Sequence, residues 1–305
     1  MIQYLYLGRV DYAEALRLQA ELVNLRQQDR IANVLLLLEH PPVLTLGRNA
    51  NRSNILASDE LLQSRGVTLH EINRGGDVTY HGPGQLIGYP IFDLRSLRHP
   101  TTGSRLGPVD FVRLMEEALI RLCGEFGLPA GRICKLTGVW CGLSPAGGGA
   151  LDKSCESVSQ STTHGRKICA IGIHVARGVT SHGFAFNVTT DLRDFNLINP
   201  CGITDRPVTS LQREIAGEIA GEPDKPVDLP TLEAIAHKAA RQFGLVFDQA
   251  VSPVENLTAL RALAAAKPES APDFRAPVFP AVDTPLRVPP EIERLRHKPE
   301  RPIHA

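Results

Sequence analysis

Five consecutive apolar residues, Val34 to Leu38, place the strongest limit on the folds open to this chain. The run is far too short to cross a bilayer. A short apolar run without polar alternation is typical of a β-strand buried within a sheet. Further strand-like segments are predicted at Val43–Leu46, Val67–Ile72, Leu86–Phe92, Gly138–Cys141, Lys167–Val175 and Gly183–Thr189.

Helical periodicity alternates with these strands. Asp11 is a suitable N-cap for a helix over Tyr12–Gln27, and Ser58 for a short helix that ends at Gly66. The clearest amphipathic stripe lies in Val109–Phe126. Two further helices are predicted at Thr209–Ala220 and Leu232–Phe243. The interleaving of strands and helices predicts an α/β domain with a mostly buried sheet.

Two segments look like additions to this domain. Residues Leu143–Gly165 are rich in Gly, Ser and Thr, and Pro268–Ala305 hold nine of the 23 prolines. We therefore expect one domain over residues 1–250 with a flexible insertion at about 143–165. Residues 251–305 are expected to form a helical segment followed by a Pro-rich, disordered tail.

The charge balance narrows the function classes. Lys plus Arg and Asp plus Glu both number 33, so the basic excess of nucleic-acid binders is absent. The first 20 residues lack a basic segment followed by an apolar run and a cleavage site, which argues against a signal peptide. We expect a soluble, cytoplasmic protein that binds neither nucleic acid nor membrane.

The six cysteines form no C-x-x-C pair. In a chain of this length without a secretion signal, reduced thiols are expected. Cys155, His164 and Cys169 fit no standard zinc-ligand spacing, so no metal site is predicted.

Two glycine-containing motifs favour close approach of a ligand to the backbone. The first is RGGDVTYHGPGQLIGYP, Arg74 to Pro90, where exposed N–H groups could bind a substrate. A turn-rich connection between two strands explains the composition equally well. The second is SHGFAFNVTTDL, in which Gly183 and Ala185 leave space beside Phe184. His182 in this segment is either a general base or, more commonly, a structural hydrogen-bonding group.

Two further motifs contain reactive side chains. In KICAIGIHV, strand alternation places Lys167, Cys169 and Ile171 on one face. Lys167 is either a strand-end lysine that reaches water or a partly desolvated amine beside a reacting group. In INPCGI, Cys201 lies in a Pro-Cys-Gly turn rather than in a periodic core element, which makes it a candidate nucleophile.

Together and in this order, RGG-x-x-TYHGPGQL, K-I-x-A-I-G, HGFAFN and PCG resemble the octanoyltransferases of lipoate biosynthesis over roughly Tyr4–Phe247. The resemblance implies a catalytic domain like that of the biotin and lipoate protein ligases, with a mixed sheet flanked by helices. It assigns the acyl-carrying nucleophile to Cys201 and the lysine that lowers its pKa to Lys167. It assigns substrate binding to Arg74, Gly75, Gly76, Asp77, Val78, Thr79, Tyr80, His81, Ala170, Ile171, Gly172, Gly183, Phe184 and Ala185.

The resemblance also implies the reaction. Octanoyl-acyl carrier protein is the expected donor, and Cys201 takes the octanoyl group as a thioester. The acceptor is a lysine of a lipoyl-domain protein, such as a 2-oxoacid dehydrogenase E2 subunit or the glycine cleavage H protein. The thioester is already activated, so neither a cofactor nor a metal is expected. Cys169 departs from the family, which usually has alanine there, and adds a second thiol near Lys167.

Two other functions are compatible with parts of this pattern. An ATP-dependent lipoate–protein ligase on the same fold would also use a lysine on this strand, but it does not require a cysteine in the PCG turn. A non-catalytic lipoyl-domain or acyl-binding module would need neither Lys167 nor Cys201. Octanoyl transfer from the acyl carrier protein without ATP would exclude the ATP-dependent ligase. Full function after replacement of Cys201 would indicate the non-catalytic binding module.

Overall fold

The computed structural model describes residues 1–143, 165–199, 206–220 and 227–266. The predicted insertion, apart from its end residues, and the tail Pro268–Ala305 lie outside the described residues, as does Cys201. Within the described chain no helix is long and apolar enough to cross a membrane.

Eleven strands are found in the described residues, and most lie in one mixed sheet of order β11-β1-β2-β6-β10-β9-β8-β7. A smaller sheet has the order β4-β3-β5. The strands are β1 Ile2–Arg9, β2 Asn33–Glu39, β3 Val43–Leu46, β4 Thr68–Glu71, β5 Val78–His81, β6 Gln85–Ile91, β7 Ala130–Ile133, β8 Leu136–Cys141, β9 Arg166–Ala176, β10 Val179–Asn187 and β11 Val251–Pro253.

Helices cover both faces of the large sheet. The helices of the described chain are α1 Tyr12–Gln27, α2 Asp59–Ser64, α3 Pro108–Gly124, α4 Leu211–Ala220, α5 Leu232–Phe247 and α6 Leu257–Ala266. Of these, α2 packs against the small sheet. The predicted caps are confirmed for α1 and α2, where the side chains of Asp11 and Ser58 accept hydrogen bonds from the first turn. The predicted α/β architecture with a mixed sheet and flanking helices is therefore confirmed.

Strand β2 explains this two-sided cover. Leu35 and Leu37 pack into a core with α3 and α5, whereas Val34, Leu36 and Leu38 pack into a second core with α1 and α6. All five residues are fully buried. Because successive side chains of a strand point to opposite faces, a continuous apolar run requires apolar cover on both.

The sequence patterns missed β1, β5, β7 and β11. Strand β5 is the most relevant of these, because it lies inside the segment that was predicted as a continuous glycine-rich turn. It pairs with β3 in the small sheet. Its four residues are bounded by glycines on both sides, which hid the short strand in the sequence.

The centre of the large sheet depends on glycines at neighbouring positions of two adjacent strands. A Cβ atom at Gly88 of β6 would overlap the Phe184 ring. A Cβ atom at Gly183 of β10 would overlap the Gly88 carbonyl oxygen and lie 2.6 Å from Pro90 Cδ. These close contacts involve backbone and ring atoms that have no free space to move into.

We expect Gly183→Ala to lower the free energy of unfolding by roughly 1–3 kcal/mol, because the added methyl overpacks this centre. Gly124→Ala is the matched control: no atom lies within 4 Å of its Cβ position at the end of α3. That change should raise stability by about 0.4–1 kcal/mol by restricting the unfolded chain. Urea titration measures both values, and an unchanged midpoint for Gly183→Ala would contradict the packing argument.

Candidate active site

A cavity of about 550 Å³ lies between the glycine-rich block, strands β9 and β10 and the start of α3. The structure brings the separate sequence motifs together around it. The sequence-predicted residues that line the cavity are Arg74, Gly75, Gly76, Thr79, His81, Lys167, Ala170, Ile171, Gly172, Gly183, Phe184 and Ala185.

Three residues of the glycine-rich block are absent from the lining. Val78 and Tyr80 pack in the core between the small sheet and the segment around Phe195. The Tyr80 hydroxyl donates to Asp194 Oδ2 at 2.7 Å, and burial raises the pKa of Tyr80. The Asp77 carboxylate accepts from the backbone N–H of Asn51 at 2.9 Å. Strand alternation in β5 explains the division, since Thr79 and His81 face the cavity and Val78 and Tyr80 face away.

Arg74 holds the glycine-rich turn in place. Its buried guanidinium donates to the Thr45 carbonyl at 2.7 Å and to Thr45 Oγ1 at 2.9 Å. It also donates to the carbonyl of Gly75 at 3.0 Å. These bonds link the turn to β3 and leave the backbone of Gly75 and Gly76 along the cavity wall.

A β-bulge places Lys167. Along β8 and β9 the register pairs Val139 with Cys169 but Trp140 with Lys167, so Ile168 is the extra residue. Lys167 therefore lies directly opposite Trp140, on the cavity side, and its Nζ is 4.7 Å from the centroid of the Trp140 ring.

Cys169 lies on the other side of the strand. It is fully buried in the core with Val139 and Ile168, and burial raises its pKa well above the usual value. The expectation that Lys167 and Cys169 share a face is therefore wrong, because the bulge interrupts the simple alternation.

The chain on the C-terminal side of Cys201 returns to Lys167. The Lys167 N–H donates to the Pro207 carbonyl at 2.9 Å, and the Thr209 N–H donates to the Lys167 carbonyl at 2.9 Å. Arg206 Cζ lies 5.9 Å from the Trp140 ring centroid. Cys201 precedes Arg206 by five residues.

The prediction that all cysteines are reduced is wrong for Cys134, which is disulfide-bonded. Cys123 and Cys169 are free thiols, and both are buried. Sequence spacing and the lack of a secretion signal give no measure of which sulfur atoms meet in space, so they could not identify this bond.

Backbone groups of β9 face the cavity where β8 ends. In the described chain β8 pairs with β9 at Arg166–Cys169 and not beyond. The Gly75 N–H donates to the Ile173 carbonyl at 3.0 Å on this edge. Because backbone groups of an antiparallel strand alternate between its two edges, the N–H and C=O of Ile171 also point to this edge. Ile171 lines the cavity, so its N–H is a candidate donor to a substrate carbonyl.

The first turns of α3 and the β7–β8 turn complete the lining, and neither was predicted from the sequence. Pro108, Val109 and Val112 of α3 add apolar surface next to Ile171 and Phe184. Further lining residues are Arg113, Lys135, Leu136 and Thr137. Val112 belongs to the amphipathic stripe of α3, and no local signal in the sequence separates a cavity wall from a core.

Aromatic and histidine side chains form the other end of the cavity. Tyr12, His81 and Tyr89 line it, and His40 lies behind them. The Nε2 atom of His40 is 2.7 Å from the Tyr89 hydroxyl, and its Nδ1 is 2.7 Å from the Val10 carbonyl. These residues are far apart in sequence, so no sequence motif predicts the cluster.

A chain of amide groups orients His81. Its Nδ1 is 2.8 Å from Gln85 Oε1, while Gln85 Nε2 donates to Asn187 Oδ1 at 2.8 Å. Asn187 Nδ2 donates to the Thr209 carbonyl at 2.9 Å. Since Gln85 presents its carbonyl to the ring, Nδ1 carries the proton and Nε2 is left as an acceptor.

His182 has an unusual backbone conformation for a strand residue. Its φ is 55°, in the left-handed region. The backbone N–H donates to Gln19 Oε1 at 2.7 Å, and Nε2 is 2.8 Å from Asn73 Oδ1. The residue is buried and lines the cavity. These bonds describe a side chain that is fixed in place beside the substrate space.

Among the described residues, no group of three or more His, Cys, Asp or Glu side chains is arranged to hold a metal ion.

Comparison with known proteins agrees with this geometry. Residues 11–227 match the family model described as the lipoyl protein ligase A/B catalytic domain. An octanoyltransferase from Acidobacterium capsulatum is 54% identical and covers 84% of this chain and 94% of its own. One from Koribacter versatilis is 48% identical, covering 90% of this chain and 95% of its own.

Solved structures agree on the fold. A putative lipoate protein ligase from T. acidophilum has a TM-score of 0.55 and 16% identity, covering 87% of this chain and 93% of that one. A lipoate-protein ligase A solved with bound ATP has a TM-score of 0.52 and 15% identity, covering 87% and 94%. At these identities the likeness establishes the biotin/lipoate ligase catalytic fold and nothing about the ligand.

The buried histidines predict a loss of stability in mild acid. Burial lowers the pKa of His40 and His182 to about 4 and that of His81 to about 3. Unfolding exposes these rings, which then take up protons below a pKa of about 6.5. Above that pH the histidines do not affect the free energy of unfolding. Below it the unfolded rings bind protons and the buried rings do not, so the free energy of unfolding decreases as the pH falls.

We expect each histidine to lower the free energy of unfolding by about 1.4 kcal/mol between pH 7.5 and 5.5. Carboxyl groups titrate lower and contribute little in this window. Urea titrations at the two pH values measure the change, and His182→Asn should remove about one third of it. Equal stability at both pH values would contradict the neutral state of these rings.

Proposed function

Since the chain belongs to the octanoyltransferase family of lipoate biosynthesis, we propose that it moves an octanoyl group from octanoyl-acyl carrier protein to a lysine of a lipoyl domain. The position of Lys167 carries this proposal. Its amine lies at the wall of a cavity with an apolar end, and the chain that follows Cys201 returns to its backbone.

In the first step the Cys201 thiolate attacks the donor thioester. A new S–C bond forms, and the carrier protein's prosthetic thiol leaves and is protonated. The Lys167 ammonium favours the thiolate form of a nearby cysteine and can supply that proton. The Ile171 N–H is suitably placed to stabilise the developing oxyanion, since it faces the cavity at an edge that β8 does not cover.

In the second step the ε-amine of the acceptor lysine attacks the octanoyl thioester. The amide C–N bond forms, the S–C bond breaks and Cys201 is released as thiolate. The proton lost by the amine returns to Lys167. The first step exchanges one thioester for another, and the second converts a thioester into a more stable amide, so neither ATP nor a metal is required. Acceptors of this chemistry are 2-oxoacid dehydrogenase E2 subunits and the glycine cleavage H protein.

The two candidate thiols, Cys169 and Cys201, differ in their sequence context. Cys169 is fully buried on the opposite side of β9, and burial raises its pKa, so it is a poor nucleophile. Cys201 lies in a Pro-Cys-Gly sequence that is suited to an exposed turn. We therefore assign the acyl group to Cys201 and a packing role to Cys169.

The test is incubation with octanoyl-acyl carrier protein in the absence of acceptor and ATP, followed by mapping of the hydroxylamine-sensitive adduct. It should lie on Cys201 in the unmodified enzyme and in Cys169→Ala, the matched control. Lys167→Ala should form it at least tenfold more slowly at neutral pH and recover in part at higher pH. An adduct on Cys169, full turnover by Cys201→Ala, or a requirement for ATP would each contradict the proposal.

Chain-length preference should follow the apolar end of the cavity. Burial of an octanoyl chain contributes about 5–6 kcal/mol at about 0.8 kcal/mol per CH₂. Val112 lies on this wall. Val112→Phe should favour donors that are two or more carbons shorter, and Val112→Ala should improve transfer of longer ones. Competition between donors of different length measures both, and an identical preference in the two variants would place the acyl chain elsewhere.

A further inference from the structure

Lys167 lies against an aromatic face, and no carboxylate in the described part of the chain forms an ion pair with it. Its Nζ is 4.7 Å from the centroid of the Trp140 ring, and Trp140 is fully buried. Arg206 Cζ is 5.9 Å from the same centroid. A cation within about 6 Å of a tryptophan face is attracted by the negative electrostatic potential of the ring, and tryptophan is the most effective side chain for this interaction.

The bulge in β9 creates this contact. In a regular register that pairs Val139 with Cys169, Ile168 and not Lys167 would lie opposite Trp140. Directly opposed side chains on one sheet face are close enough to interact. The indole N–H also points to the carbonyl of Leu136, at 3.4 Å, which orients the ring within β8.

Buried carboxylates on the neighbouring helices are already engaged. Glu116 on α3 accepts from Arg113, Arg132 and the Gly138 N–H. Glu214 on α4 forms a two-bond pair with Arg166, at 2.7 Å for each bond. The Thr209 hydroxyl donates to the same carboxylate at 2.6 Å. These bonds keep both carboxylates directed at other groups.

We propose that Trp140 is the positioning residue for Lys167, and that it holds the ammonium by a cation–π contact in place of an ion pair. The proposal rests on the role of Lys167 in octanoyl transfer. A carboxylate partner would offset the positive charge and compete with the thiolate for it. An indole face fixes the amine and leaves its full charge directed at the nucleophile. The tryptophan itself touches no reacting atom.

A direct test uses fluorescence, because Trp140 is the single tryptophan of the chain. We compare Cys201→Ser with Cys201→Ser/Lys167→Met between pH 7 and 11, so that titration of the proposed nucleophile is removed from both. All five tyrosines are present in both proteins, so any contribution from them cancels in the difference. Other charged or titratable groups around the pair are shared as well: Cys169, Glu116, Arg113, Arg132, Lys135, Arg166, Glu214 and Arg206.

The expected result is a pH-dependent step in tryptophan emission that is present with Lys167 and absent with methionine. Identical titrations would overturn the contact. This measurement involves no substrate, so it tests the contact between Lys167 and Trp140 independently of the proposed octanoyl transfer.

The effect on turnover is measured with Trp140→Phe, Trp140→Tyr and Trp140→Leu. We expect kcat to fall about 3- to 30-fold in the leucine variant, equivalent to about 0.7–2 kcal/mol, with the donor KM unchanged. The aromatic variants should retain more activity than leucine. The kcat–pH profile of the leucine variant should differ from that of the wild-type protein, since the ammonium group has lost its contact with the indole ring.

A role in packing alone would lower the melting temperature of all three variants and leave the pH profile in place, and that outcome would overturn the proposal. If Trp140→Leu does not fold, two other measurements test the positioning role. One is the comparison of kcat and pH profile among Trp140→Tyr, Trp140→Phe and the wild-type protein, and the other is the fluorescence difference. Equal kcat and pH profiles in wild type and both aromatic variants, together with identical fluorescence titrations, would exclude a positioning role.

Discussion

Burial of the central strands on both faces is the constraint on which the rest of this structure depends. Helices α3 and α5 cover one face of β2, and α1 and α6 cover the other. The middle of the sheet therefore has no space for a ligand, and Gly88 and Gly183 show how closely its atoms approach. Space remains where β9 extends past the end of β8, and the cavity lies at that edge.

A single extra residue in β9 organises the chemistry at this edge. The bulge at Ile168 turns Lys167 toward the cavity and Trp140, and it leaves Cys169 in the core. A thiol only two residues from Lys167 in the sequence is thus kept away from the cavity. Burial keeps the Cys169 thiol protonated, because transfer of a thiolate into an apolar core is unfavourable.

The two ends of the cavity have different chemical character. Apolar side chains of α3 and β9 form one end, which suits an acyl chain, and a cluster of histidines and tyrosines forms the other. Burial lowers the pKa of His40, His81 and His182 far enough that these rings are neutral at physiological pH. The neutral histidine rings form hydrogen bonds of fixed direction. In the proposed reaction, Lys167 carries out the proton transfers.

The sequence alone determined the class of fold, the helix caps at Asp11 and Ser58, and the family, because these depend on local periodicity and on motifs contiguous in the chain. It did not reveal β5, so it could not divide Thr79 and His81 from Val78 and Tyr80. The β9 bulge and the His40–Tyr89 contact were decided by tertiary structure alone. A bulge depends on the register with the partner strand, and a cluster depends on which distant segments the fold brings together; neither leaves a periodic signal in the sequence.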